Sequence, residues 1–165
     1  MEPYQRIMVT GGSGRLGSFV VDELLPDYQV TVLDLSPPKQ DVAFIEADIE
    51  DRASLAEAFT GIDAVIQLAA LDMGVDAEED RFFRVNVQGL WNVLEFAESA
   101  GVRRTVVCSS VSALNISRRH PPRYLPVDVD HPARPVHAYG ISKLAGEVVA
   151  EAFSRRSAME VFCLR

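Results

Sequence analysis

The stretch Val9-Thr10-Gly11-Gly12-Ser13-Gly14-Arg15-Leu16-Gly17 constrains the fold more than any other, because it joins an apolar run to an amphipathic one through a glycine-rich turn. Arg6-Ile7-Met8-Val9 reads as a buried strand, and Leu16, Phe19, Val20 and Leu24 recur at helical spacing beyond the turn. Two glycine spacings overlap here: Gly12-x-Gly14-x-x-Gly17, and Gly11-x-x-Gly14-x-x-Gly17 with Thr10 in front. In either, the first glycine permits a sharp turn off the strand, and the second lets backbone N–H groups approach a pyrophosphate. The third lets the helix pack closely on the sheet. A helix starting there aims its positive dipole end and its unpaired N–H groups at the phosphates. Strand, loop and helix together read as a dinucleotide-binding unit.

The remaining chain repeats the alternation. With the first helix ending near Pro26, residues 28–34 read as a second strand, and residues 42–47, beyond the Pro37-Pro38 pair, as a third. A helix over 53–59, a fourth strand over 64–68, a helical pattern over 78–100 and a fifth strand over 104–110 follow. After a Pro-rich and basic loop, 115–135, Tyr139 opens a helix whose apolar stripe is Ile141, Leu144, Ala145, Val148, Val149 and Ala152, and residues 160–165 form a sixth strand. Such alternation predicts an α/β fold: a Rossmann-like, doubly wound parallel sheet ordered 3-2-1-4-5-6, with a ligand at the carboxyl ends of the strands, near the switch point between the first and the fourth.

At 165 residues and 48% hydrophobic, the chain is expected to form one domain spanning 1–165. Asp and Glu number 24 against 16 Lys and Arg, a net charge of −8 that argues against nucleic acid or an anionic membrane as partner. With no signal-peptide pattern and no bilayer-length apolar run, the expected location is the cytoplasm. Cys108 and Cys163 each fall inside an expected buried strand and lack metal-ligand spacing, which reads as small core residues in a reducing compartment and no metal site.

Candidate chemistry clusters at strand ends. Asp34 closes the second strand, where a carboxylate accepts hydrogen bonds from the adenosine ribose hydroxyls and repels a 2′-phosphate, so NAD is favoured over NADP. Ala69 and Ala70 follow the fourth strand and let the backbone pass close to a flat ligand. Tyr139 and Lys143 are four apart on one helix face. A free tyrosine, with a pKa near 10, is a poor base at neutral pH. A neighbouring ammonium favours the phenolate, and a nicotinamide cation adds to that effect. The pair can then exchange a proton with a substrate hydroxyl or carbonyl while hydride is exchanged at the same carbon. Ser110, at the end of the fifth strand, is placed to orient the same oxygen. Arg118-Arg119-His120 either meets a substrate phosphate or is a solvated loop. The segment 78–100 is apolar on more than one face, and a homodimer contact through helices 78–100 and 138–153 would supply the second partner it needs.

As a set, these residues resemble the short-chain dehydrogenase/reductase superfamily, and within it the extended branch, the NAD-dependent epimerase/dehydratase family. Residues 10–17 are similar to that branch's cofactor loop, which makes Gly11, Gly14, Arg15, Leu16 and Gly17 candidate cofactor residues, and Asp34 matches its NAD-selecting acid. The resemblance implies that Asp48 and Ile49 flank adenine, that Leu68, Ala69 and Ala70 line the cofactor, and that Asn86 joins them. It also implies that Ser110, Tyr139 and Lys143 are catalytic, with Lys143 binding the nicotinamide ribose as well. The implied activity is oxidoreduction, epimerisation or dehydration at a hydroxyl or carbonyl of a sugar or nucleotide-sugar.

Three departures qualify this reading. Gln67 stands where many members have His, and Leu114-Asn115 where sugar-nucleotide epimerases show Tyr-Gly. Members also continue past the sixth strand into a smaller substrate-binding domain, which predicts that this chain is a truncated form or a fragment with weak substrate affinity. Two alternatives stay open: a non-catalytic dinucleotide-binding module acting through a protein partner, and an NADPH-dependent ketone reductase, which Asp34 disfavours.

Overall fold

A computed structural model describes residues 4–165. Six parallel strands form one sheet: β1 (Arg6–Thr10), β2 (Gln29–Asp34), β3 (Ala43–Glu46), β4 (Ala64–Gln67), β5 (Arg104–Cys108) and β6 (Glu160–Leu164), in the order β3-β2-β1-β4-β5-β6. That is the order expected from the alternation. The two-residue period of a strand sends neighbours to opposite faces. Met8, Leu33, Val65 and Val107 face the larger core, and Val9, Val30 and Val32 the smaller one, with Ile66 packed against it.

Among the described residues helix α1 (Arg15–Leu24) is the helix that covers the smaller core, through Val21 with Val20 and Leu24. Leu16 and Phe19, read as part of its apolar face, are exposed, Phe19 by 71%. Gly17 takes the buried position instead, because the helix meets the turn below it backbone to backbone. The larger core is covered by α2 (Arg52–Leu55), α4 (Leu90–Ser99) and α5 (Ala138–Arg156), which contribute Leu55, Leu94 and Phe153. Helix α2 is one turn long rather than spanning 53–59, although Phe59 beyond it is still buried.

The helical segment expected over 78–100 is three pieces in succession: α3 (Glu79–Phe83), a π-helical stretch (Arg84–Gly89) and α4. Helix α5 buries Ser142, Gly146, Ala150 and Phe153 rather than the stripe read from the sequence, leaving Val148 58% exposed. Small residues win the buried row because α5 approaches its neighbour closely: a Cβ on Gly146 would lie 3.1 Å from Leu90 Cδ2. Among the described residues strand β6 pairs only with β5 and is mostly exposed, so Cys163 lies on the surface; Cys108, on β5, is half-buried. The sequence places both in buried strands. The edge strand β6, with one neighbour, leaves Cys163 exposed, whereas Cys108 is the last residue of β5, where the sheet opens onto the cleft. Among the described residues no helix is long and apolar enough to cross a membrane.

At Gly17 a Cβ would sit 2.1 Å from the Gly11 carbonyl oxygen and 2.7 Å from Gly12 Cα, both backbone atoms that cannot step aside. Gly17→Ala is therefore expected to lower stability in equilibrium urea unfolding by about 1–3 kcal/mol. Gly74→Ala, where a Cβ meets nothing within 4 Å, should leave the midpoint unchanged.

Candidate active site

The carboxyl ends of the strands border one open cleft of about 560 Å3. Its floor begins at the glycine loop. Gly11 has φ +70°, and a Cβ there would fall 2.6 Å from the Ala69 backbone nitrogen, so only glycine lets the turn rest on the exit of β4. The Gly11 N–H donates to Leu33 O at 2.8 Å and the Gly14 N–H to Gly11 O at 3.1 Å, which closes the turn. No side chain caps α1 at Gly14, so its first-turn N–H groups are left for an anion in the cleft.

Asp34 ends β2 beside this loop. Its Oδ2 accepts from the Ser13 N–H at 3.0 Å and its Oδ1 from the Leu35 N–H at 2.7 Å, which fixes the carboxylate while its remaining lone pairs face the cleft. Asp48 follows β3 and accepts from the Glu50 N–H at 2.9 Å. Ile49 is buried in the core, with its carbonyl held by Asn92 Nδ2 at 2.9 Å. At β4, the Thr10 hydroxyl donates to Gln67 Oε1, and Gln67 Nε2 donates to Ala69 O at 3.0 Å. Gln67 thus ties β1 to β4 and holds the segment Leu68-Ala69-Ala70 against the loop.

Asn86 lies in the π-helical stretch and is buried. Its Oδ1 accepts from the Leu71 N–H at 2.7 Å, while Nδ2 donates to Leu71 O at 3.1 Å and to Ser142 Oγ at 3.0 Å. Its amide is committed to the segment after β4 and to α5, and the residue stands behind the wall of the cleft rather than on it.

Tyr139 and Lys143 enter from α5. His137 caps that helix, its Nδ1 accepting from the Gly140 N–H at 3.0 Å, and its ring stacks 6.3 Å from that of Tyr139. Phe82 meets the Tyr139 ring edge-on at 6.2 Å. Lys143 Nζ donates to Cys108 O at 3.0 Å and lies 5.8 Å from the Tyr139 ring centroid. Burial pushes the Tyr139 phenol above its ordinary range and the Asp72 carboxylate adds to the rise, while a hydrogen bond with Ser110 opposes it. Burial pushes the Lys143 ammonium down, against the pull of Asp72. Ser110 heads a short 3-10 turn, its Oγ accepting from the Ser112 N–H at 3.1 Å.

The cleft brings together Gly11, Gly14, Arg15, Leu16, Gly17, Asp34, Asp48, Ile49, Leu68, Ala69, Ala70, Tyr139 and Lys143, with Ser110 beside Tyr139. It also includes residues the sequence reading passed over. Ser36 and Glu50 follow strand ends already marked, and that proximity was a signal. Asp72 comes from an irregular segment with no such signal, and Arg81, 3.4 Å from Glu50 Oε2, from the short helix α3. Arg118, Arg119 and His120 are exposed and do not line the cleft. Among the described residues no group of three or more His, Cys, Asp or Glu could hold a metal ion.

A cleft crossing from β3 to β5, floored by backbone and carrying one fixed carboxylate near the glycine loop, fits an extended dinucleotide. Known proteins agree with this geometry. The chain is 34% identical to an L-arabinose 1-dehydrogenase (NAD(P)(+)) of Haloferax volcanii, over 97% of this chain and 65% of that protein. It is also 34% identical to a putative UDP-glucose 4-epimerase of Methanocaldococcus jannaschii, over 96% and 54%. The fold superposes with a TM-score of 0.87 and 37% identity on a short-chain dehydrogenase/reductase superfamily protein of Agrobacterium tumefaciens solved with bound NAD, covering 98% of this chain and 48% of that one. The chain therefore spans between about half and two thirds of the length of these relatives. The description of the NAD dependent epimerase/dehydratase family matches residues 7–165, and the chain belongs to that family.

Proposed function

We propose that residues 1–165 are the NAD-binding unit of an enzyme that moves hydride and a proton at a hydroxyl or carbonyl of a sugar or nucleotide-sugar. The observation that carries this reading is the meeting of Ser110, Tyr139 and Lys143 at one end of a dinucleotide-shaped cleft. Relatives named as L-arabinose 1-dehydrogenase, uronate dehydrogenase and UDP-glucose 4-epimerase support the substrate class.

In this reading the first-turn N–H groups of α1 hold the pyrophosphate, Asp34 the adenosine ribose and Lys143 the nicotinamide ribose. When bound, NAD supplies the two-electron hydride chemistry. Tyr139 as phenolate accepts the hydroxyl proton of the substrate during oxidation and returns it to the carbonyl oxygen in reduction. Ser110 donates to the same oxygen and orients it. Lys143 holds its positive charge near the phenolate and so opposes the cost that burial imposes on the anion. A dinucleotide-binding module without turnover is the rival reading, and Tyr139 separates the two.

We also infer pairing with a second copy through the outward sides of α3, α4 and α5, where Phe83, Trp91, Ile141 and Val148 are exposed. Sedimentation should then report a dimer that Val148→Glu converts to monomer.

Calorimetric titration is expected to give binding of NAD and much weaker binding of NADP. Tyr139→Phe should retain NAD binding while turnover falls about 10²–10⁴-fold; equal turnover in parent and variant would instead support the module. The pH dependence of oxidation adds a test with opposite signs. Oxidation needs the phenolate, so its rate climbs as pH rises through the Tyr139 pKa. Removing the Ser110 hydrogen bond raises that pKa, and removing the Asp72 charge lowers it. The rising limb should therefore move to higher pH in Ser110→Ala and to lower pH in Asp72→Asn.

A further inference from the structure

Three consecutive residues at the end of β5 are each tied to a different turn of α5. Cys108 O accepts from Lys143 Nζ at 3.0 Å, Ser110 bonds with Tyr139, and the buried Ser109 donates its hydroxyl to Glu147 Oε1. Tyr139, Lys143 and Glu147 follow one another at four-residue spacing, so they form one row along the helix. The first two have roles in the reading above. Glu147 has none.

Glu147 is half-buried yet charged. Burial opposes its ionisation, but Arg165 and the Ser109 hydroxyl together hold its carboxyl below the usual range. Arg165 does so as a two-pronged fork, Nε to Oε1 at 2.9 Å and Nη2 to Oε2 at 2.7 Å. The Ser109 N–H meanwhile donates to Leu164 O at 2.7 Å. Ser109 is thus held by its main chain to β6 and by its side chain to α5, between the two residues that meet Lys143 and Tyr139. Arg165 closes the circuit, since it follows β6 directly.

We propose that Glu147, charged and oriented by Arg165, is a positioning residue. Through Ser109 it locks the end of β5 so that the Cys108 carbonyl meets Lys143 and the Ser110 hydroxyl meets Tyr139. Its importance for turnover rests on the function proposed above, whereas the locking itself does not.

The experiment uses the full chain and three variants: Glu147→Gln, which keeps an acceptor but loses the charge; Glu147→Ala; and Ser109→Ala, which breaks the link without stranding a carboxylate. Hydrogen exchange of the segment 107–112 should speed up roughly tenfold or more in Ser109→Ala and Glu147→Ala, and less in Glu147→Gln, with exchange in β1 and β2 unchanged. The turnover number should fall about tenfold or more, with NAD affinity and substrate KM held within about twofold. Unchanged exchange at 107–112 in Ser109→Ala would overturn the proposal, as would a rise spread evenly over the whole sheet, which marks a merely structural ion pair. Should the parent show no turnover on any sugar, the proposed function fails. The exchange pattern still decides whether the lock exists.

Discussion

Gly17 and Gly11 touch backbone to backbone where α1 leaves the turn after β1, and the cofactor half of the molecule is assembled on that contact. The helix can start directly above the strand only because neither residue carries a side chain. Gly11 in turn rests on the Ala69 backbone, so the end of β1, the start of α1 and the exit of β4 move as one body. Asp34 is then locked to the same body through Ser13, and Gln67 ties Ala69 to Thr10 from below. The cleft floor is built from main chain, which is stiff and presents N–H groups at fixed positions.

The opposite end of the cleft combines close packing, where a Cβ on Gly140 would fall 2.6 Å from Ser112 O, with a set of polar links between the end of β5 and α5. Its two ionisable groups are strained in a shared direction: burial drives both the Tyr139 phenol and the Lys143 amine toward their neutral forms. A cation bound nearby would favour the phenolate. The site is thus balanced to change its protonation with what occupies it, and that balance requires the two side chains to stay put. The stacked His137 ring and the edge-on Phe82 ring constrain one of them, and the Cys108 carbonyl constrains the other.

Much of this was legible in the residues alone, for identifiable reasons. Strand runs such as 28–34 and the glycine turn carry strong local signals, and their alternation fixes the sheet order. Tyr139 and Lys143 are readable because four-residue spacing means one helix face. The buried row of α5 was not, since Gly146 and Ser142 carry no hydrophobic mark and are buried only because a neighbouring helix comes close. Phe19 and Cys163 look like core residues in any local window, yet α1 has a single partner face and β6 a single partner strand. Asp72 reaches the cleft from irregular backbone, where no periodicity points the way, and Arg81 from the one-turn helix α3, too short to show a polar face of its own. The Glu147–Ser109 link joins residues 38 apart in the chain, a pairing that only the fold reveals.

The π-helical stretch has a consequence for how the chain can vary in length. It carries one residue more per turn than the α-helices on either side, so α3 and α4 are set out of phase by about 100°. That offset lets Phe82 lie against Tyr139 while Val93 and Leu94 pack into the core and Asn86 reaches Leu71. Between Phe82 and Val93 the loss of a single residue would cancel the offset and a gain would enlarge it, and either would turn one of the three away from its partner. The exposed loop 115–130 carries no such phase relation. Length changes among homologous chains are thus expected to accumulate in that loop and to be rare in the segment around Asn86.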